Sequence, residues 1–159
     1  MNVHLAQVNI ARMRAPLEDP LMSGFVARLA EINALADRSP GFIWRLQTPE
    51  GNATYLRPYP DERILFNLSV WHDLESLRGY VYGTAHLELL RQRQDWFERF
   101  DGPSAALWWV PVGHVPSVDE AKERLRHLAE NEPSPVAFTF KVVFPPAASP
   151  ILEADSGRA

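Results

Sequence analysis

The chain has 159 residues, of which 46% are hydrophobic and 11% aromatic, a composition typical of one globular domain with a sizeable core. Its net charge of −4 comes from interspersed acidic and basic residues, so nothing indicates a nucleic-acid partner or an acidic membrane surface. The absence of cysteine excludes disulfides, thiolate metal sites and cysteine nucleophiles.

The first predicted strand and helix occupy the N-terminal part of the chain. Alternation of side chains predicts a strand over 3–10, in which Gln7 and Asn9 are polar positions on an otherwise apolar face. Asp19 is followed by proline, which is the typical pairing of an N-cap with a first helical residue. We therefore predict a helix over 20–38.

A short strand, a long loop and a clearly patterned strand come next. We predict the short strand over 42–46 and a loop over 47–61, where proline, glycine and asparagine are frequent. The following strand, 64–71, has one aliphatic and aromatic face and a second, mixed face that carries Asn67 and Trp71. The first face should pack on helices, whereas the mixed face suits a pocket or a barrel interior.

Two helices separated by Gly83 are predicted after this strand. An aspartate N-cap begins a helix over 74–82, and a second helix covers 84–100. On the second helix, His86 lies near the centre of the apolar face and Arg93 lies about two turns below it. Such groups need partners among apolar neighbours, so they are either a satisfied core histidine and an edge arginine, or the lining of a pocket.

The C-terminal part contains a strand, a helix and a final strand. In the strand over 105–112 two adjacent tryptophans must point to opposite faces, one under a helix and one toward the mixed face. A serine-to-glutamate capping box opens a helix over 118–130, and a final strand is predicted over 137–144. The segment 145–159 is rich in proline and alanine, so we predict a flexible tail behind a domain that covers 1–144.

The predicted order, β-α-β-β-α-α-β-α-β, contains the β-α-β-β-α-β unit of ferredoxin-like proteins. We therefore predict an α+β fold with an antiparallel sheet of split β-α-β topology and helices on one face. The other face needs a cover, which a second copy of the sheet would supply in a two-fold homodimer, a dimeric α/β barrel. In that dimer the mixed faces of the two sheets would face each other.

Four segments occur in an order that resembles an uncharacterised bacterial family, the domain of unknown function 3291. They are SVWHDLESLRGYVYGTAH, RQRQDWF, LWWVPVGHVPSVDEAKERL and PSPVAFTF. That family is similar to the dimeric α/β-barrel group, which includes antibiotic-biosynthesis monooxygenases and haem-degrading monooxygenases. Members of the group carry out unrelated reactions, so the resemblance implies a fold more directly than a reaction.

The resemblance also implies candidate residues on the mixed face. Some cofactor-free, quinone-forming monooxygenases of the group use an asparagine and a tryptophan four residues later on the equivalent strand, and Asn67 and Trp71 share this spacing. Haem-degrading relatives use an asparagine on the first strand, a tryptophan and a helical histidine, to which Asn9, Trp71 and His86 are similar. An extra helix between Trp71 and His86 departs from the haem pattern.

The tryptophans supply further candidates. Most indoles in a small domain are core residues, yet five of them can also line a cavity for a flat apolar ligand. Alternation places Trp44 on the same side of its strand as Phe42. The candidate ligand-binding residues are Asn9, Trp44, Tyr82, Trp96 and Trp109.

Two functions of different classes remain open. In the first, a small enzyme carries out a cofactor-free, monooxygenase-like oxidation of an aromatic or polyketide-like molecule. His86 would be its general base, and Arg93, Asn67 and Trp71 would stabilise a developing phenolate or enolate. In the second, a non-catalytic homodimer binds a small ligand or is structural, and a haem-binding protein is a further alternative. An open cavity that reaches His86 would favour the first function, and a filled interior the second.

Other chemistry finds no support in the sequence. There is no dinucleotide fingerprint, no P-loop and no HExxH motif, and no histidine pair has metal-ligand spacing on a pocket face, so we expect no metal. The N-terminus is too polar for a signal peptide, and no apolar run reaches the ~20 residues that span a bilayer. We therefore expect a cytoplasmic protein without a membrane partner.

Overall fold

The computed structural model describes residues 2–47 and 58–146. In the first half the elements are β1 (Val3–Met13), a 3-10 helix (Pro20–Met22), α1 (Ser23–Asp37), β2 (Phe42–Arg45) and β3 (Ile64–Trp71). In the second half they are α2 (Leu74–Val81), α3 (Thr84–Arg91), α4 (Arg93–Trp96), β4 (Phe97–Glu98), β5 (Ala105–Pro111) and α5 (Val118–Glu130). Most of the predicted loop 47–61 and of the predicted tail 145–159 lies outside the described residues. No helix in the described residues is long and apolar enough to cross a membrane.

The predicted capping residues begin the helices where we expected them. Asp19, Asp73 and Ser117 each accept a hydrogen bond from a backbone N–H of the turn that follows. These N–H groups have no partner within their own helix, so a side-chain acceptor satisfies them and marks where the helix begins.

β1 is the central strand of an antiparallel sheet. It pairs with β3 on one side and with β5 and the short β4 on the other, while β2 extends the sheet beyond β3. The resulting order, β2-β3-β1-β5, is that of the split β-α-β unit. The predicted α+β class with a ferredoxin-like antiparallel sheet is therefore confirmed.

One face of the sheet, which we call the dry face, packs against α5. Its sheet residues are Ala6, Val8, Ile10, Phe66, Leu68, Val70, Ala106, Trp108 and Val110. The inward side of α5 supplies Ala121, Leu125 and Leu128 to the same cluster, and the Trp108 indole donates to Glu120 Oε2 at 3.0 Å. The prediction that the aliphatic face of β3 packs on a helix is confirmed.

The opposite face keeps the name mixed face, and its residues include Leu5, Gln7, Asn9, Asn67, Ser69, Trp71, Leu107 and Trp109. Ala36 of α1 and Leu77 of α2 pack against it together with Leu5, Trp71 and Leu107. Helices therefore cover both faces, and the expectation of helices on one face is wrong. Because α1 and α2 pack against the mixed face, this face does not need a second sheet as its cover.

The predicted helix over 84–100 ends early. α3 stops at Arg91, α4 adds a single turn, and Phe97 and Glu98 pair with β1 as a short strand. Trp96 and Phe97 pack against Met13 and Phe25 in a third cluster. These tertiary contacts override the helical pattern of the sequence, because local propensity is the weaker preference.

The segment 137–144 does not form the predicted strand. Phe138 makes a single antiparallel bridge to Leu107 at the edge of β5, with backbone hydrogen bonds of 2.8 and 2.9 Å. Beyond it the Thr139 hydroxyl accepts from the Val142 backbone N–H at 3.1 Å. This local turn competes with a continuous ladder, because a threonine hydroxyl offers the backbone an alternative partner.

The predicted alternation in the second strand is also broken. The β2–β3 register shifts between Phe42 and Trp44, so the two rings lie on different faces. Phe42 packs edge-on against Trp71 with ring centroids 5.4 Å apart, whereas Trp44 packs against the dry-face cluster. The expectation that Phe42 and Trp44 share a side is wrong.

Candidate functional site

A cavity of about 330 Å³ lies between the mixed face and the helices above it. The volume is near the lower end of the range of small-molecule sites, about 300–1,000 Å³. Polar groups of the lining come from β1, β3, α1, α3 and α4, and apolar walls come mainly from α1 and α2. The apolar side chains include Phe25, Leu29, Ile32, Leu77, Val81 and Phe140. The cavity extends to His86, which was the condition that would favour an enzyme.

Side-chain amides form the floor of the cavity. The register of β1 and β3 places Gln7 opposite Ser69 and Asn9 opposite Asn67. Directly opposed residues of an antiparallel pair have Cβ atoms about 4.5–5.5 Å apart, so Asn9 and Asn67 present neighbouring amides. Neither of these two amides has a hydrogen-bond partner among the described residues, and both line the cavity. They can therefore hydrogen-bond a ligand.

A buried hydrogen-bond group lies directly beside this floor. Gln7 Nε2 and Trp71 Nε1 both donate to Ser69 Oγ, each at 2.9 Å. Ser69 is 6% exposed and is itself absent from the cavity lining. Its hydroxyl satisfies a buried indole N–H on one side and holds Gln7, which lines the cavity, on the other.

His86 is half-buried in α3, and its ring packs on Tyr80 with centroids 4.9 Å apart. Burial lowers the pKa of His86, and a weaker interaction with the Val81 backbone acts in the opposite direction. That interaction does not reach hydrogen-bond geometry, since the buried Nδ1 has no such partner in the described part of the chain. The imidazole is therefore neutral at neutral pH, the state in which it accepts a proton.

His86 packs against a stack of two aromatic rings, Tyr80 and Trp71. Trp71 stacks on Tyr80 with centroids 5.2 Å apart and an interplanar angle of 26°, and Tyr80 in turn contacts the imidazole. Burial raises the pKa of Tyr80 to about 12, so its phenol stays protonated. Trp71 is 1% exposed and does not line the cavity. It can act on a ligand only through Tyr80 or Ser69.

Two arginines line the cavity in different electrostatic settings. Arg28 of α1 lies 3.9 Å from both Glu31 and Glu88 and donates to Gln92 at 3.4 Å. Arg93 is exposed and has no ion pair or hydrogen bond within residues 2–47 and 58–146. No acidic residue occurs in the described lining. The positive charge of Arg93 therefore faces the cavity without a balancing carboxylate.

The structure brings some of the sequence-predicted residues together and leaves others apart. Asn9, Asn67, His86 and Arg93 all line the cavity, and Trp71 lies behind its wall. Four aromatic candidates are absent from the lining: Trp44, Tyr82, Trp96 and Trp109. Trp44 belongs to the dry-face cluster, Tyr82 is exposed, Trp96 is buried in the third cluster and Trp109 packs beside Phe138.

Several lining residues were absent from the sequence-based candidates, above all Gln7, Arg28, Asn33 and Tyr80. Arg28 and Asn33 interrupt the apolar stripe of α1 between Phe25 and Ala36. A polar residue on an apolar helical face is the same signal that identified His86, so it could have indicated both. No comparable signal marks Tyr80, because its position depends on the stacking with Trp71.

Within the described ranges no three histidine, aspartate or glutamate side chains lie together in a way that could hold a metal ion.

Comparisons with known proteins return distant structures and one family. No curated protein matches the chain. SnoaB, a cofactor-independent oxygenase from Streptomyces nogalater, is similar at 16% identity and a TM-score of 0.43, over 70% of this chain and 95% of SnoaB. PA3566 from Pseudomonas aeruginosa is similar at 12% identity and a TM-score of 0.47, over 73% of this chain and 98% of that protein. Similarities this distant say nothing about a reaction or a ligand.

The family comparison is direct, because a family model aligns with almost the whole chain. The segments that carry the resemblance in the sequence lie within the matched region. Residues 4–153 match the family described as Domain of unknown function (DUF3291), and the chain belongs to that family.

Proposed function

We propose that the protein binds a small, flat, partly aromatic molecule in the cavity and oxidises it with molecular oxygen without a cofactor. The observation that carries this proposal is the single cavity lined by a neutral imidazole, His86, and by two amides without partners in the described residues, Asn9 and Asn67. A base opposite hydrogen-bond donors is the arrangement that removes a proton and stabilises the resulting anion.

The first step is removal of a proton from an activated C–H group of the substrate. His86 accepts this proton as a general base, because burial keeps its imidazole neutral. The electron pair delocalises onto the oxygen of a neighbouring carbonyl group, which becomes an enolate. The side-chain NH₂ groups of Asn9 and Asn67 donate hydrogen bonds to that oxygen, and the apolar walls exclude water from it.

The second step is the reaction of this carbanion with O₂. The carbanion gives one electron to O₂, and the two radicals combine to form a C–O bond. The peroxide anion takes the proton back from His86, and loss of water from the hydroperoxide leaves a ketone. The substrate loses four electrons and O₂ gains four, so a CH₂ group plus O₂ becomes a C=O group plus water.

In this proposal Trp71 is a positioning residue rather than a group that contacts the substrate. It stacks on Tyr80, which contacts His86, and its indole donates to Ser69, which holds Gln7. These contacts orient one side chain on each side of the cavity. Replacement of Trp71 should therefore change both stability and turnover.

Haem, which the resemblance to haem-degrading relatives implies, fits these residues incompletely. Asn9 and His86 line the cavity, but Trp71 is buried behind the wall and cannot contact a ligand there. The constellation of asparagine, tryptophan and histidine is therefore not assembled around one space, and no step through haem follows.

The homodimer expected from the sequence stays a prediction. Its interface would lie away from the mixed face, because α1 and α2 pack against that face. The mass from light scattering at micromolar concentration tests this prediction.

The test of the proposed reaction uses 1,8-dihydroxyanthrone as a probe, since it has an acidic CH₂ group between two aromatic rings. The protein should consume one O₂ per molecule of dihydroxyanthraquinone formed, above the spontaneous rate and without any added cofactor. His86→Gln should lower the rate by about 10²-fold or more, as expected for loss of a general base.

His127→Gln is the matched control for this experiment. His127 lies in α5, on the opposite side of the sheet, and it is half-buried with an unpartnered Nδ1, as His86 is. The His127 variant should retain the wild-type rate. A wild-type rate equal to the spontaneous rate, or an unchanged rate in His86→Gln, would reject the proposed reaction.

A further inference from the structure

The charge of the cavity lining is one-sided. Its described residues include two arginines and no carboxylate, and its histidine is neutral. Arg28 shares its charge with Glu31 and Glu88, whereas Arg93 has no such neighbour within ion-pair distance in the described chain. The cavity therefore presents one uncompensated guanidinium to whatever binds there.

The position of Arg93 limits what this charge can recognise. Arg93 is exposed, so it marks the solvent side of the cavity, while Phe25, Ile32 and Leu77 form buried walls inside. A ligand that matches both regions has an apolar ring system inside and a compact anionic group at the solvent side. The planar fork of a guanidinium matches a carboxylate with two parallel hydrogen bonds.

We propose that the ligand of this cavity is an aromatic carboxylate and that Arg93 is the residue that selects its charge. This inference rests on the site of the proposed function but not on its chemistry, since selective binding requires no turnover. The carboxylate at Arg93 fixes one end of the ligand, and the ring then lies across the amide floor toward His86. Arg93 orients the reacting carbon without touching it.

The binding test uses 6-hydroxy-2-naphthoate and 6-hydroxy-2-naphthamide, which have nearly the same shape and differ in charge. Titration calorimetry of the wild-type protein should give a dissociation constant at least about tenfold lower for the naphthoate, in line with a charge-assisted pair. This preference should decrease as the salt concentration rises, because an exposed charge pair is screened.

Two variants assign the preference to a residue. Arg93→Gln should bind both compounds with similar affinity. Arg91→Gln, which changes the net charge by the same amount on a neighbouring residue outside the lining, should keep the wild-type preference. Thermal melting of both variants shows whether they fold. Arg28→Gln should keep most of the preference, since carboxylates already balance its charge.

Several results would overturn the inference. They are equal affinity of the wild-type protein for the two compounds, a preference that survives in Arg93→Gln, and a preference that Arg28→Gln or Arg91→Gln removes instead. The two proposals fail separately. Oxidation of 1,8-dihydroxyanthrone without a preference for the naphthoate rejects only the charge selection, and a preference for the naphthoate without oxidation rejects only the reaction.

Discussion

The two faces of one sheet differ in almost every property that matters for function. On the dry face, Phe66 and Leu68 of β3 lie in one hydrophobic cluster with α5, and the indole N–H of Trp108 donates to Glu120. On the mixed face, one residue along the same strand, Asn67 is exposed to a cavity and has no partner in the described chain. Because side chains alternate along a strand, adjacent residues can serve stability and ligand binding separately.

The comparison shows that a cavity on the mixed face requires a well-packed core on the dry face. Open space forfeits the dispersion contacts that a close-packed interior would make, so the mixed face contributes less stability per residue. The dry face has to supply that stability. Substitutions on the dry face should therefore mainly lower the free energy of unfolding. Substitutions on the mixed face should mainly weaken ligand binding.

The largest effect should come from Phe66→Ala on the dry face. Phe66 is 2% exposed, and removal of a buried phenyl ring lowers the free energy of unfolding by about 3–5 kcal/mol. Asn67→Ala, the adjacent residue on the mixed face, should cost less than about 1 kcal/mol, as is usual for exposed positions. Urea unfolding of the two variants measures both values. Similar losses would contradict the separation of the two faces.

Ser69→Ala should give a smaller but clear loss of about 1–3 kcal/mol, because it leaves the fully buried Trp71 indole N–H without its acceptor. A double-mutant cycle with Trp71→Phe isolates this hydrogen bond. The second substitution should cost less in the Ser69→Ala background than in the wild-type chain. Strictly additive losses would show that the hydrogen bond makes no measurable contribution.

The effect of His86 on folding should be small and should depend on pH. His86→Ala should cost under about 1 kcal/mol at neutral pH, because water can replace an imidazole that lines a cavity. Burial lowers the pKa of His86 in the folded protein, so the unfolded chain binds the proton more readily, near its ordinary pKa of about 6.5. The free energy of unfolding therefore keeps its full value above pH ~6.5, where His86 is neutral in both states. It decreases as the pH falls through the lowered pKa, because the proton then stabilises the unfolded chain.

Unfolding curves at several pH values between pH ~7.5 and pH ~5 test this sign. The wild-type free energy of unfolding should fall more steeply with acidification than that of His86→Gln, which has no titrating group at this position. Parallel curves for the two proteins would show that the pKa of His86 is the same in the folded and unfolded chains.

The smallest effect is expected from a change that touches neither face. Truncation after Phe144 keeps the backbone carbonyl that accepts from the Trp109 indole at 2.9 Å. The melting temperature should therefore stay within about 5 °C of the wild-type value, a shift of roughly 1–2 kcal/mol in a domain of this size. A larger drop would show that residues after Phe144 dock on the domain.

Much of the local structure could be predicted because its causes are local. Alternation alone separated the two faces of β3, and the pairing of an acceptor side chain with free N–H groups located the starts of the helices at Asp19, Asp73 and Ser117. The polar residues that these patterns singled out, Asn67 on the mixed face of a strand and His86 on the apolar face of a helix, do line one cavity. A polar group on an apolar face indicates a site for a simple physical reason, the cost of burying it unpaired.

Only the tertiary structure decided which surfaces meet. The amphipathic pattern of α5 predicts a buried side but not the sheet face that buries it, which is the dry face. The packing of Trp96 against Phe25 ended a helix that the local pattern would continue, and the stack of Trp71 on Tyr80 placed the indole behind the cavity wall. Contacts between residues distant in sequence depend on the shapes of the side chains and on which other elements pack beside them. The hydrophobic periodicity of the sequence specifies neither.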